Sequence, residues 1–205
     1  MTGGTTVGES HFFAIVSRMK YIERWALMRN ARPENLSEHS LEVAMIAHAL
    51  CIIGNVRYGR TLDADRAAFI GLYHDASEII TGDMPTPVKY RNDRLRGAYK
   101  EVEREAEEEL LATLPEDLRP AFAQAFSPLP DTPDDAYLHE LVKAADKLSA
   151  YIKCLEEEST GNAEFRTAAV STLEALDAMR ATHPEVSDFM EEFLPSYGRT
   201  LDELL

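Results

Sequence analysis

Leu41-Glu42-Val43-Ala44-Met45-Ile46-Ala47-His48-Ala49-Leu50-Cys51-Ile52-Ile53 decides the fold class of this chain. Leu41, Ala44, Met45, His48 and Ile52 recur at the spacing of one helical face, and Val43, Ile46 and Leu50 widen that face until most of the circumference is apolar. A helix that is apolar nearly all round belongs in a core, so this stretch predicts a buried central helix. Asn35, with Glu38 three residues on, reads as its capping box, Ser37 being the alternative cap, and Gly54-Asn55 reads as its end.

The same helical period continues outward. Asp63 reads as the cap of a second helix running through Ala67, Phe69, Ile70, Leu72 and Tyr73 to Ile79 and Ile80, stopped by Thr81-Gly82-Asp83. Pro85 and Pro87 argue for a non-helical loop over Asp83-Met84-Pro85-Thr86-Pro87. Arg91 to Leu114 predicts a polar helix with Val102, Ala106 and Leu110 inward, and its run of glutamates reads as a solvated face. Ser127 to Pro133 is a Pro-rich connector. Leu138, Leu141, Val142, Ala145, Leu148 and Ile152 mark a second amphipathic core helix from Asp134 to about Glu158, closed by Gly161-Asn162. Ala163 to Ala181 and Glu185 to Leu194 predict two further helices. No stretch alternates convincingly at period two. The expected class is all-α, one helical bundle over 10–205 behind a disordered tail at 1–9.

Composition narrows the function. Among 205 residues, Lys+Arg number 21 and Asp+Glu 36, a formal net charge of −15, which repels polynucleotide backbones and anionic lipid. A polymeric nucleic acid or a membrane is therefore not an expected partner, whereas a small phosphorylated substrate meeting its own local cation is compatible. Two cysteines, Cys51 and Cys154, both inside apolar patterns, leave no disulfide scaffold and point to a reducing compartment. The start carries no secretory pattern, and Val43 to Ile53, eleven residues, falls far short of a bilayer span, so a cytoplasmic protein is expected.

His74-Asp75 sits late in a predicted helix, with Glu78 one turn on. Imidazole mixed with carboxylate suits Mn, Co, Fe, Ni or Zn, whereas an all-oxygen set suits Mg or Ca. His39 lies in the first turn of the central helix and Asp146 in the middle of the second core helix. An acid there needs pairing or a metal, and by itself Asp146 reads equally as a partner of Lys143 or Lys147.

The order His, then His-Asp, then Asp resembles the HD phosphohydrolase superfamily. Arg24-Trp25, Glu38-His39-Ser40, Tyr73-His74-Asp75-Ala76-Ser77-Glu78, Gly82-Asp83-Met84-Pro85-Thr86-Pro87 and Lys143-Ala144-Ala145-Asp146-Lys147-Leu148 narrow the resemblance to its bacterial 5′-deoxynucleotidases, from about Ser10 to the C-terminus. The departures are a longer tail, Met84 within the loop and a longer connector before Asp134.

The resemblance implies hydrolysis of deoxyribonucleoside 5′-monophosphates to deoxynucleoside and phosphate. It implies one divalent ion (Co, Mn, Zn, Fe, Ni or Mg) on His39, His74, Asp75 and Asp146, with Glu78 as acid/base and Asp75 and Arg24 in the catalytic set. Arg24 would clamp the phosphate, Trp25 line the pocket, Thr86 make a further phosphate or sugar contact and Asp83 meet the deoxyribose, with Met84 and Pro85 beside it. Family analogy also implies a homodimer. Lys89 is a weaker phosphate candidate, and His11, His48, His139 and His183 are expected to be structural. The rival readings are an HD hydrolase of nucleoside triphosphates, cyclic nucleotides or alarmones, and a non-catalytic helical sensor.

Overall fold

The computed structural model describes residues 8–89, 91–126 and 132–205, so most of the expected tail and of the Pro-rich connector lies outside the described residues. Eleven α-helices are described: α1 (Phe12–Val16), α2 (Leu36–Tyr58), α3 (Ala64–Tyr73), α4 (Glu78–Thr81), α5 (Thr86–Lys89), α6 (Asp93–Ala112), α7 (Arg119–Phe126), α8 (Pro133–Ser159), α9 (Arg166–Arg180), α10 (Pro184–Glu192) and α11 (Leu201–Leu204). No strand occurs among the described residues, and one isolated bridge joins Glu23 to Asn35. The fold is all-α, as expected.

α2 is the centre, with α3 and α8 packed along it and α10 crossing its C-terminal half. Val43, Ala47, Leu50 and Cys51 of α2 meet Ala67 and Ile70 of α3, Leu141, Ala145 and Leu148 of α8, and Val186 of α10, all buried. Each of the Val, Leu and Ile side chains among them contributes roughly 1.5–3 kcal/mol by leaving water. A second cluster, Phe12, Leu36, Leu110 and Phe126 with Phe69, Tyr73 and Phe122 against it, seats α1 and α7 on the far end of α3. At Gly71 the two main helices touch backbone to backbone: a Cβ there would lie 2.8 Å from Ala44 Cα and 2.9 Å from Ala44 N.

The Asn35 side chain accepts from the amides of Ser37 at 3.0 Å and Glu38 at 3.1 Å and so caps α2, while the Glu38 carboxylate turns to Arg32 at 3.6 Å instead of closing the box. α2 does not end at Gly54-Asn55. Gly54 serves close packing, since a Cβ would meet Glu185 Oε1 at 2.8 Å, and Asn55 exchanges two 2.8 Å hydrogen bonds with the Leu62 backbone. The helix runs on to Tyr58 and is capped by Gly59 at φ 65°.

Nor is α2 buried all round: Leu41 is 53% exposed, Met45 57%, Ile52 42% and Val56 78%, an apolar stripe along one side. By length and composition the helix could cross a membrane, although the eleven-residue run suggested otherwise, and 56% of that window is buried inside the fold as core.

Three other expectations fail for local reasons. The helix capped by Asp63 stops at Tyr73, because the His74 side chain bonds the Gly71 carbonyl at 2.8 Å and the backbone tightens to three-residue bonds, Ala76 N to Tyr73 O and Glu78 N to Asp75 O. α4 then restarts at Glu78. Thr86-Pro87 is helical, since a proline in the first turn lacks only an amide that would be unpaired there. Val102 is exposed, while Ala106 and Leu110 are buried as expected.

Candidate metal and nucleotide site

α2 supplies His39 in its first turn, the end of α3 supplies His74 and Asp75, and α8 supplies Asp146 from its middle. His39 Nε2 lies 3.2 Å from Asp146 Oδ1 and 3.5 Å from Asp75 Oδ2, and His74 Nε2 lies 3.0 Å from Asp75 Oδ2. Donor atoms of His39, His74 and Asp146 all fall within 4.8 Å of one another. Both Nε2 atoms are buried and meet no polar group but these carboxylates, and two imidazoles with two carboxylates form a mixed nitrogen–oxygen set that suits a divalent transition ion. The donor set therefore fits the ion that the sequence pattern implies.

Protein charges alone polarise the cluster strongly. Burial works against the imidazolium of His74, yet Asp75 and Asp146 outweigh it and raise its pKa to about 9. Burial also opposes the Asp75 carboxylate, and His74 and His39 hold it well below the usual range. The same holds for Asp146, which is buried but bonded to His39 and beside Lys147. His39 is pushed down by burial and by the Arg24 charge. The lysine pairing read as an alternative for Asp146 exists, with Lys147 Nζ at 3.0 Å, alongside the His39 contact rather than in place of it.

Glu78 opens α4, 6% exposed. Burial, then the charges of Asp75 and Asp83, push its carboxyl up to about 9, and Oε2 has no hydrogen-bond partner. It holds its proton at neutral pH in this environment, which is the state required of a general acid.

Arg24 and Trp25 come from the segment before α2. Glu23 bridges Asn35, and Arg24 N donates to Glu34 O at 2.9 Å, which ties this segment alongside the approach to α2. Trp25 is left-handed at φ 58°, a conformation costing a bulky residue about 1–3 kcal/mol. One carboxylate collects both side chains: Glu34 accepts from Arg24 Nη1 at 3.1 and 3.2 Å and from Trp25 Nε1 at 2.8 Å. Arg24 Nη1 also lies 2.8 Å from His39 Nδ1. Burial opposes its charge, but Glu34, Asp146, Asp75 and Asp83 raise its pKa. The Trp25 ring rests edge-on against Phe165 at 5.3 Å.

Asp83 follows Gly82 and accepts from the Trp25 backbone amide, so the loop after α4 is tied to the Arg24-Trp25 segment; burial raises its carboxyl pKa. Met84 and Pro85 are half-buried in that loop, Thr86 begins α5, and the Thr86 side chain lies outside the described residues. Lys89 is occupied with Glu103 at 2.6 Å and lies over the Tyr99 ring at 4.8 Å. His11, His48, His139 and His183 lie outside the cluster that the structure brings together.

Sequence reasoning missed Glu34, Ser149 and Glu42. Ser149 Oγ is 3.0 Å from His39 Nδ1 and donates to Glu42 Oε2 at 2.6 Å. The available signal was helical spacing, since Ser149 is three residues after Asp146 and Glu42 three after His39.

A family model described as 5′-deoxynucleotidase YfbR-like matches residues 11–197. The 5′-deoxynucleotidase YfbR of Escherichia coli is 50% identical over 199 residues, covering 96% of this chain and 96% of that protein. An HD-domain phosphohydrolase from Listeria innocua superposes with a TM-score of 0.77 at 24% identity over 91% of this chain and 88% of its own. The cyanophage S-2L HD phosphohydrolase DatZ, solved bound to dA and one catalytic Zn2+ ion, gives 0.59 at 20% identity over 96% and 100%. The two structures establish the HD-type fold, and the near full-length family match with 50% identity establishes kinship: this chain belongs to the YfbR-like 5′-deoxynucleotidase family.

Proposed function

We propose that this protein is a metal-dependent phosphomonoesterase that hydrolyses deoxyribonucleoside 5′-monophosphates to deoxynucleoside and inorganic phosphate. The observation that carries the reading is the meeting of the buried Nε2 atoms of His39 and His74 with Asp75 and Asp146, next to the half-buried cation Arg24 and the proton-bearing Glu78. Kinship to proteins named 5′-deoxynucleotidase supports the substrate class.

His39, His74, Asp75 and Asp146 would hold one divalent ion of the transition series. When bound, the ion lowers the pKa of water and offsets charge on the phosphoryl group. Arg24 binds the phosphoryl oxygens. Its contacts with Glu34 and His39 all use Nη1, so the rest of the planar fork is available to an anion. Hydrolysis forms a P–O bond from water and breaks the P–O bond to the sugar 5′-oxygen, which must gain a proton. Glu78, holding one on a buried carboxyl, supplies it and is restored by the proton the water loses. Trp25 lines the nucleoside side of the pocket. Asp83 accepts a hydrogen bond from the sugar 3′-hydroxyl, with Met84, Pro85 and Thr86 shaping the same loop.

The exposed stripe Leu41, Met45, Ile52 and Val56 supports a homodimer, with an apolar helix face for the second copy to cover. The charge of −15 supports a free nucleotide rather than a polynucleotide or membrane as partner, and two unpaired buried cysteines support a reducing, cytoplasmic setting.

The test is phosphate release from deoxy- and ribonucleoside mono- and triphosphates after chelation and re-addition of Mg, Mn, Co or Zn. Metal-dependent release from deoxynucleoside monophosphates alone is the expected result, and turnover of triphosphates in preference would overturn the substrate class.

A further inference from the structure

A neutral imidazole offers its Nε2 lone pair to an ion only when the ring proton sits on Nδ1 and finds an acceptor there. For His74 the acceptor is the Gly71 carbonyl at 2.8 Å, which can only accept, so the ligating tautomer is fixed. His39 faces two groups at Nδ1 that make opposite demands. Arg24 Nη1, at 2.8 Å, is a donor and favours a lone pair on Nδ1, which would place the proton on Nε2, inside the ligand cluster. Ser149 Oγ, at 3.0 Å, can act either way, and what decides is where its own proton goes. That proton is given to Glu42 Oε2 at 2.6 Å, which leaves an oxygen lone pair facing Nδ1.

Ser149 is fully buried, so its hydroxyl depends on these partners. The geometry fits the helices: Glu42 lies one turn past His39 on α2, and Ser149 one turn past Asp146 on α8, so the two elements that carry the ligands also carry the groups that orient one of them.

We propose that Ser149 and Glu42 are positioning residues for His39: the chain from Nδ1–H to Ser149 Oγ and from Ser149 O–H to Glu42 lets the ring release its Nε2 proton from Asp146 and offer the lone pair to an ion held with Asp75 and Asp146. The inference rests on the metal reading given above and deepens it.

The test uses the full chain, stripped with a chelator and titrated with Zn2+ or Co2+ alone, without nucleotide. Ser149→Ala removes no charge and is expected to weaken the metal Kd by roughly 10- to 100-fold, the usual scale when a partner of a ligand histidine is lost. Proton–nitrogen NMR correlations of the imidazole rings in the Zn2+-loaded protein are expected to show a hydrogen-bonded His39 Nδ1–H in the wild type that loses its shift and its protection from exchange in Ser149→Ala. Glu42→Ala, at a half-buried position, is expected to act in the same direction, and Glu42→Gln, which keeps an oxygen acceptor, to lie nearer the wild type.

A folded Ser149→Ala protein with wild-type Kd overturns the proposal, and so does weakened binding with an unchanged Nδ1–H signal, the pattern of lost packing. Should Ser149→Ala fail to fold, Glu42→Ala decides on the same two readings. His39→Ala separates the levels. Unaltered metal binding there sinks the metal site itself, whereas loss of metal there beside intact binding in Ser149→Ala sinks only the positioning chain.

Discussion

Helix α8 carries two buried polar clusters on one side, at residues 146 and 149 and again at 153 and 157, and they are built on opposite terms. At the second, every demand is met. Glu157, 1% exposed, accepts from the amides of Ala31 at 2.8 Å and Arg32 at 3.2 Å, from Asn162 Nδ2 at 2.6 Å, and from Lys153. Burial opposes its charge, but Lys153 and these donors outweigh it and pull the carboxyl down to about 2. At the first, the Nε2 atoms of His39 and His74 meet only the carboxylates of Asp75 and Asp146, and Glu78 Oε2 is buried with no hydrogen-bond partner. Such an unpartnered atom costs about 1–3 kcal/mol. The difference teaches how to tell scaffold from site: burial and charge are common to both, and only the unmet valence marks where a ligand is to arrive. The satisfied cluster still serves the other, because it fixes the loop at 31–32 between the Arg24-Trp25 segment and α2.

The contrast can be broken most severely at Asp146. Asp146→Ala is expected to abolish both metal retention and turnover, and stoichiometric metal by elemental analysis in an active variant would remove Asp146 from the ligand set. At the other end of the same helix, Lys153→Ala is expected to lose about 3–5 kcal/mol in urea unfolding, because Glu157 is left buried and poorly compensated. Metal content per folded molecule should not change, and a fall in it would show that the two clusters are not separable.

Glu78→Gln sharpens the comparison, since it alters the proton rather than the shape. A kcat loss of roughly 10²-fold or more with metal retained is expected. With divalent ions chelated, the wild type should lose stability as pH rises from about 4.5 to about 9, because over that window the unfolded chain releases a proton that folded Glu78 keeps. The permanently neutral glutamine lacks that slope and should be the more stable protein at the alkaline end; parallel pH profiles would remove the raised carboxyl from the account.

Asp83→Ala is the smaller effect. It is expected to lower kcat/KM for deoxyribonucleotides and narrow the gap to ribonucleotides by roughly tenfold, the scale of one hydrogen bond. An unchanged ratio with a lowered Tm would make Asp83 a structural tie to Trp25 and nothing more.

The sequence made the helical class legible because Leu41 to Ile53 and Leu138 to Ile152 repeat at the helical period, and Asn35 and Asp63 act as caps where their side chains permit. It misread Gly54, which the distant Glu185 turns from a stop into a contact, and the end of α3, where the local bond from the His74 side chain to Gly71 stops the helix early. The exposed stripe of α2 was hidden because periodicity cannot say which side of an apolar helix stays uncovered. For the site, periodicity placed His39, His74, Asp75 and Asp146 on helices but not beside one another, and that juxtaposition was available only through a family pattern. Glu34, Ser149 and Glu42 were illegible because their meaning lies in partners 9 to 110 residues away in the chain.

Gly71 has no side chain to offer an ion, yet it sets a length. With α2 and α3 in backbone contact at Ala44, the rings of His39 and His74 stand 5.2 Å apart, and a single added carbon, 2.8 Å from Ala44 Cα, would force the helices apart. Metal–ligand distances tolerate only about ±0.2 Å, so such a displacement is felt where the ligands meet. Gly71→Ala is therefore expected to lower both the Tm and the Zn2+ affinity of the molecules that remain folded, with a lowered Tm and unchanged affinity as the contrary result. The gauge of the site is cut at a residue that never meets the ion.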